Sequence, residues 1–408
     1  MGIIGIVSEY NPFHRGHEYH INESKKQLGE DSTVICVMSG DFVQRGECAM
    51  YSKFARAEAA VKCGADLVVE LPLPWAISSA EAFARGAVVL LSALGATHIS
   101  FGSENGNTDA LDTIARALVD EAITDEIKLL LNNEANMSYP AARQKVLERY
   151  LGDLAKELEQ PNNILAVEYL KAKYELGVSM EVMTVRRVGS GHDKTGDEGP
   201  KSASELRAII RSGGDISQYI PEAAFEVYRK EKEQGRELSD NSIVDIAMLS
   251  RLRMLGENDF NSLPDSSDGL GSRIYKAVQN SCSLNEVYEA AKTKRFTLAR
   301  IRRICMCACL GVKGGMNNDV PPYARVLAAN EKGCAILKSL KKSSDIVIVN
   351  KPAAIRKQSK ECVDLFALGA SAHDLYTLMY PNVRERKVQL DWKTNTIIVK
   401  DAQNAHKK

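Results

Sequence analysis

A chain of 408 residues, 26% of them charged and 44% hydrophobic, has room for about two or three domains and the balance of an ordinary globular protein. Lys and Arg equal Asp and Glu at 53 each, which excludes a uniformly basic or acidic protein. No run reaches about 18 consecutive apolar residues and the N-terminus enters a strand at once, so neither a membrane span nor a secretion signal is expected.

The first strand is the apolar run Gly2-Ile3-Ile4-Gly5-Ile6-Val7, and His14-Arg15-Gly16-His17 opens the helix after it. Thr33–Met38, Asp66–Pro72 and Thr97–Gly102 read as further buried strands. Phe54–Cys63 and Ala80–Leu94 read as helices stopped by Gly64 and Gly95. Such alternation predicts a parallel Rossmann-like sheet covered on both faces, with ligands outside the carboxyl ends of its strands. His14, Asp41 and Gly102 fall at those ends. Residues 108–176 read as helical, Met180–Val188 as a strand, and Gly189–Gly199 as a polar loop. Ser202 and Glu205 form a capping-box pattern at the next helix. Beyond about 215 the chain reads as mostly helical, and Val388–Val399 as a terminal hairpin turning at Lys393-Thr394-Asn395. We therefore expect a parallel-sheet α/β domain over 1–215 and a mainly helical region over 216–408.

Nine cysteines without a C-x-x-C pair predict no disulfide framework and no zinc site, and point to a reducing cytoplasm. Charge is unevenly spread. Residues 270–360 hold eighteen Lys or Arg against five Asp or Glu, a net +13 that the remainder of the chain offsets. A block of that size predicts a polyanionic partner. Within it, Leu298, Ile301, Ile304 and Cys305 share one face of a predicted helix. Arg295, Arg302 and Arg303 lie on the other, with Arg300 at the border, placed to meet RNA phosphates.

The turn before the first helix carries chemistry. Pro12 stiffens it, Gly16 permits close approach, and the helix start presents free N–H groups to an anion. Two imidazoles three residues apart reach one phosphate group. Taken with Met38–Glu47, Phe101-Gly102-Ser103-Glu104, Pro161–Ala166, Lys201–Arg207 and Pro322–Leu327, in that order, the sequence resembles the bacterial tRNA(Met) cytidine acetate ligase family, HIGH-motif nucleotidyltransferases, over nearly its full length. The resemblance implies ATP-dependent activation of acetate as acetyl-adenylate with pyrophosphate release. Acetylation of N4 of the wobble cytidine of elongator tRNA(Met) follows, with Mg2+ accompanying the nucleotide.

Under that reading His14 and His17 are catalytic, stabilising charge on the transferring phosphates. The run Val7, Ser8, Glu9, Tyr10, Asn11, Pro12, Phe13, His14, Arg15, Gly16, His17, Glu18, Tyr19 and His20 wraps the nucleotide. Gly102 admits the adenosine against bare backbone. Asn162 or Asn163 reads the base or ribose. Arg187 with Val188, and Ser202, Ser204 and Arg207, complete the ATP site. Arg45 is a candidate partner for the acetate carboxylate. Asp41 is a candidate to position magnesium or accept the amine proton. Two other classes fit the sequence less well: a small-molecule nucleotidyltransferase, which has no need of the basic block, and a non-catalytic RNA-binding protein, which has no need of both histidines.

Overall fold

The structure is a computed structural model and describes residues 2–104, 106–134, 137–187, 201–340 and 346–400. Five parallel strands, β1 (Ile3–Ser8), β2 (Thr33–Ser39), β3 (Leu67–Leu71), β4 (His98–Ser103) and β5 (Glu181–Arg186), lie in the order β3-β2-β1-β4-β5. In β2, Val34, Cys36 and Met38 join one core and Ile35 and Val37 the opposite one. That period of two, apolar on both faces, is what a strand covered on both sides requires. Helices α1 (Arg15–Leu28) and α2 (Lys53–Lys62) cover the first face. Helices α3 (Ala80–Ala93) and α4 (Pro161–Glu175) cover the second, with Phe83, Leu91 and Val167 in its core. Register aligns Ser8 with Met38 and Ser39 with Leu71, so the loops that follow gather at one edge.

Three features differ from the sequence reading. First, the division at 215 does not separate two bodies. Helices α5 (Ala203–Arg211) and α6 (Glu222–Glu233) both pack into the core around α1 and α2. Strand β6 (Tyr323–Ala329), from the region read as helical, enters the main sheet fully buried. Second, β6 runs antiparallel to β3, so the sheet is predominantly rather than wholly parallel. Third, the terminal hairpin does not form. Leu390–Lys393 is a short helical turn, and β8 (Ile397–Ile398) pairs in parallel with β6, as does β7 (Val347–Val349). Alternation across Val388–Trp392 misleads because Asp391 is buried as an ion-pair partner while Trp392 packs edge-on against Phe366. The remaining C-terminal helices build their own core around α7 (Leu298–Leu310). No helix among the described residues is long and apolar enough to cross a membrane.

A buried ionic cluster joins these parts. Lys53 Nζ, 1% exposed, donates to Glu70 Oε1 at 2.9 Å and Oε2 at 2.8 Å on β3, and to Asp391 Oδ2 at 2.6 Å near the C-terminus. Removing one partner from such a cluster leaves the others charged and dry. Lys53→Met should therefore destabilise the fold by about 3–5 kcal/mol in urea titrations, far above an average substitution. A loss below about 1 kcal/mol would show that the cluster is not holding the C-terminal segment.

Candidate active site

The carboxyl end of β1 runs into a turn held from three sides. Asn11 Oδ1 accepts the Met50 N–H at 2.9 Å. The Tyr228 hydroxyl on α6 accepts the Phe13 N–H at 2.9 Å, and Arg207 on α5 donates to the Asn11 carbonyl at 3.0 Å. Tyr10 sits at φ 47°, and the Asn11–Pro12 peptide is cis. The turn delivers His14 to the N-cap of α1. Its Nδ1 accepts the Gly16 N–H at 3.0 Å, while His17 Nδ1 accepts the His14 N–H at 3.2 Å. The two rings stack at 3.8 Å. A Cβ on Gly16 would lie 2.8 Å from the His14 ring, so this glycine makes room for the imidazole rather than for the ligand alone.

These hydrogen bonds settle the tautomers. A nitrogen that accepts a backbone N–H carries no proton, so in the neutral rings Nε2 is the protonated, donating atom. Both rings are neutral near pH 7. Burial, with the Arg187 charge behind it, lowers His14 to a pKa of about 4. Burial, reinforced by His14 and His20, holds His17 well below its ordinary value. His20, bonded to Ser100 Oγ at 2.9 Å, is lowered to about 4 by burial and Arg187. The pair thus offers two hydrogen-bond donors without adding positive charge.

These residues open on a cavity of about 700 Å3, within the range of small-ligand pockets. Of the expected residues it is lined by Val7, Ser8, Glu9, Tyr10, Asn11, His14, Arg15, Gly16, His17, Tyr19, His20, Arg45, Gly102, Asn162, Arg187, Ser202, Ser204 and Arg207. Pro12, Phe13 and Glu18 support the turn and helix without lining it; Phe13 is fully buried. Val188 lies outside the described residues. The asparagine pair divides. Asn162 faces the cavity, donates to Glu104 at 2.6 Å and accepts from Arg187 at 3.3 Å. Asn163 is fully buried, accepts the Glu104 N–H at 3.4 Å and donates to Glu157 at 2.8 Å, holding the β4 loop to α4. At Gly102 a Cβ would sit 3.3 Å from the Arg187 stem. Ser202 caps α5 with Glu205, and Arg207 also reaches Ser204 Oγ at 3.1 Å.

Lining residues that the sequence reading missed include Phe83, Tyr169, Gln44 and Lys201. Gln44 lay inside the Met38–Glu47 run and Lys201 inside the Lys201–Arg207 run. Phe83 and Tyr169 carried no signal beyond helical apolar spacing.

Asp41 does not line this cavity. It is 5% exposed, with Oδ1 accepting the Lys53 N–H at 2.7 Å and Oδ2 at 2.7 Å from His373 Nδ1. Burial alone would raise its pKa, but His373, Lys53 and Arg56 outweigh that and hold it far below the carboxylate range. A carboxylate so engaged is a poor base, and its placement makes it an anchor for the loop that carries Gln44 and Arg45. Arg45 itself is exposed and lines the cavity. Gly46 follows at φ +73°, where a Cβ would lie 2.5 Å from the Arg302 backbone. Helix α7 therefore presses directly on this loop.

The α7 face is not a bare cationic stripe. Arg302 donates to Glu47 at 2.6 Å and Arg303 pairs with Asp265 at 3.5 Å. Arg300 donates to the Asp265 carbonyl at 2.9 Å, and Arg295 pairs with Asp268 at 3.1 Å. Acidic residues outside the 270–360 window supply these partners, which is why charge counting along the chain overstated the free charge.

The HIGH Nucleotidyl Transferase family model matches residues 1–391. The tRNA(Met) cytidine acetate ligase of Acetivibrio thermocellus is 36% identical, covering 98% of this chain and 100% of its own. That of Thermoanaerobacter sp. is 38% identical, covering 94% and 96%. The chain belongs to this ligase family. Among its solved members, Thermotoga maritima TmcAL bound with alpha-thio ATP matches with a TM-score of 0.90 at 31% identity, over 98% of this chain and all of the other. The apo form of the same protein matches with a TM-score of 0.92. The family's histidine signature is thus the stacked, neutral pair at the start of α1.

Histidine 15N spectra at pH 7 should show His14 and His17 neutral with the proton on Nε2, and His14 titrating near pH 4. Because the unfolded chain binds these protons at about pH 6.5, stability should fall as pH drops from about 6.5 towards 4. ATP should move the His14 titration upward by placing negative charge beside it. A His14 midpoint at or above about 6.5 in the free protein contradicts the assignment.

Proposed function

We propose that this chain is an ATP-dependent tRNA-modifying ligase that activates acetate and acetylates N4 of the wobble cytidine of elongator tRNA(Met). The observation that carries the reading is the stacked His14–His17 pair at a helix N-terminus, opening on a cavity in a fold that binds an ATP analogue in a relative 31% identical. An acetate oxygen attacks the α-phosphorus, the bond to the β-phosphate bridging oxygen breaks, and pyrophosphate leaves. The Nε2–H donors of His14 and His17 and the free N–H groups of α1 stabilise the charge that builds on the phosphates. Arg187, Lys201 and Arg207 add positive charge around the same cavity.

In the second step the cytidine amine attacks the acetyl carbon, the carbon–oxygen bond to phosphate breaks, and AMP leaves. Glu9 takes the place that Asp41 held in the sequence reading as acceptor of the amine proton. It lines the cavity, and its Oε1 accepts the Gln44 N–H at 2.9 Å. Burial raises its pKa against the opposing Gln44 bond and the charges of Arg45 and Arg207. Magnesium accompanies the nucleotide, coordinated by its phosphates. The tRNA lies over the 270–360 segment, where Arg295, Arg300, Arg302 and Arg303 offer the N–H groups not engaged by Asp265, Asp268 and Glu47.

His17→Ala should lower acetate-dependent ATP–pyrophosphate exchange by about 10²–10³, the usual effect of losing one preorganised donor. Exchange at a near-normal rate would sink the assignment. Arg45→Lys should raise the apparent KM for acetate more than that for ATP, since a planar fork of donors becomes one point charge. Equal changes in both would remove Arg45 from the acetate site.

A further inference from the structure

A second cavity, of about 430 Å3, adjoins the first and belongs to no step described so far. One wall is the start of α3, with Ser78, Ser79 and Ala82. The other is built from Asp265, Arg303 and the Asn317–Asn318 turn. The partition between the two cavities is thin. Gln44, which lines the first, donates from Nε2 to the carbonyl of Ser78, which lines the second, at 3.0 Å. Ala82 and Phe83 are consecutive on α3, one facing each cavity.

The chemistry of the lining selects a class of ligand. Three carboxylates, Glu81, Glu175 and Asp265, face two guanidiniums, Arg85 and Arg303. Lys171 pairs with both Glu81 and Glu175, so charge around the cavity nearly balances, and a neutral ring with adjacent donors and acceptors matches it without leaving a charge unpaired. Among the described residues, Arg303 Nε is buried without an acceptor. Asp265, its partner at 3.5 Å, sits at φ 60°, a left-handed turn conformation that Asp tolerates better than most side chains. Arg85 donates to the Asn318 carbonyl at 3.0 Å, tying α3 to the 317–318 turn.

We propose that this second cavity receives the acceptor nucleobase, swung out of its RNA loop, with Arg303 donating to the ring acceptors and the exocyclic amine directed at the Gln44–Ser78 partition. Acyl transfer requires the amine about 3–3.5 Å from the acetyl carbon, so the Gln44 side chain must turn away from Ser78 as the base enters, which opens the partition without displacing the bound adenylate. The new carbon–nitrogen bond forms as the carbon–oxygen bond to AMP breaks, and the amine proton passes to Glu9. The inference rests on the ligase reading above and adds the place and chemical class of the acceptor.

The test uses the full chain and tRNA(Met). With the unsubstituted protein, a photoreactive pyrimidine at the target position should crosslink to peptides spanning 77–85, 264–265 or 303–318. Crosslinks confined to other peptides overturn the proposal. Ala82→Phe and Asn317→Trp fill the cavity from opposite walls. At saturating tRNA, the ratio of single-turnover acetyl transfer to RNA-free pyrophosphate exchange should fall at least tenfold in each variant that retains exchange. A ratio within threefold of the unsubstituted protein also overturns the proposal. Absence of acetate-dependent exchange in the unsubstituted protein would instead overturn the ligase reading.

Discussion

Two cations on one helix organise the reactive edge of this protein. Arg56, fully buried on α2, donates to the carbonyls of Glu9, Ser39, Gly40 and Tyr51. It thereby clamps the chain where β1 and β2 end. One turn earlier, Lys53 pairs with Glu70 and Asp391, and its backbone N–H holds Asp41. Such buried charges are tolerable only when fully surrounded by partners of opposite sign or by carbonyls. The loops after β1 and β2 are the groups that surround them, so the loops cannot move independently of α2. His14, His17, Glu9, Gln44 and Arg45 inherit their positions from that constraint.

The histidine pair shows how a site can be electrostatically prepared yet uncharged. Stacked at 3.8 Å, two imidazolium rings would repel each other strongly, and burial removes the water that would screen them. Neutral rings with both Nδ1 atoms engaged by backbone N–H groups avoid that cost and aim their Nε2 protons in a fixed direction. Positive charge is supplied instead by Arg187, Lys201 and Arg207 on separate elements. Fixed donors that need no reorganisation as charge develops are the efficient form of phosphoryl-transfer stabilisation.

The C-terminal half is not an appendage. Strand β6 extends the sheet, Asp391 completes the Lys53 cluster, His373 on α8 (Lys360–Leu378) binds Asp41, and α7 rests on Gly46. Glu47 bridges Arg207, which lines the first cavity, and Arg302 on α7. The elements that read as an RNA-binding region therefore touch the loop that carries Arg45, which couples the two parts of the proposed reaction through direct contact.

The alternation of buried strands and helices over the first two hundred residues, and the strand–turn–helix setting of His14 and His17, were readable because they depend on local periodicity and on turn residues. So were the strings that carried the family resemblance. What local pattern does not encode is which distant residue comes to lie against which. Asp41 read as a group to position magnesium or accept the amine proton, yet it lies outside the cavity as an anchor, because His373, 332 residues away, lies against it. Asn162 and Asn163 are identical in type and adjacent, yet only the helical rotation of α4 against the β4 loop sends one to the cavity and the other to the core. The arginines of α7 looked free because their acidic partners, Glu47, Asp265 and Asp268, lie outside the segment whose charge was counted. Tyr323–Ala329 was hidden as a strand because its pairing partner, β3, lies some 250 residues earlier. Periodicity determines what each segment is able to become; long-range burial and charge pairing, which only the assembled fold provides, decide which side chains are left facing the ligand.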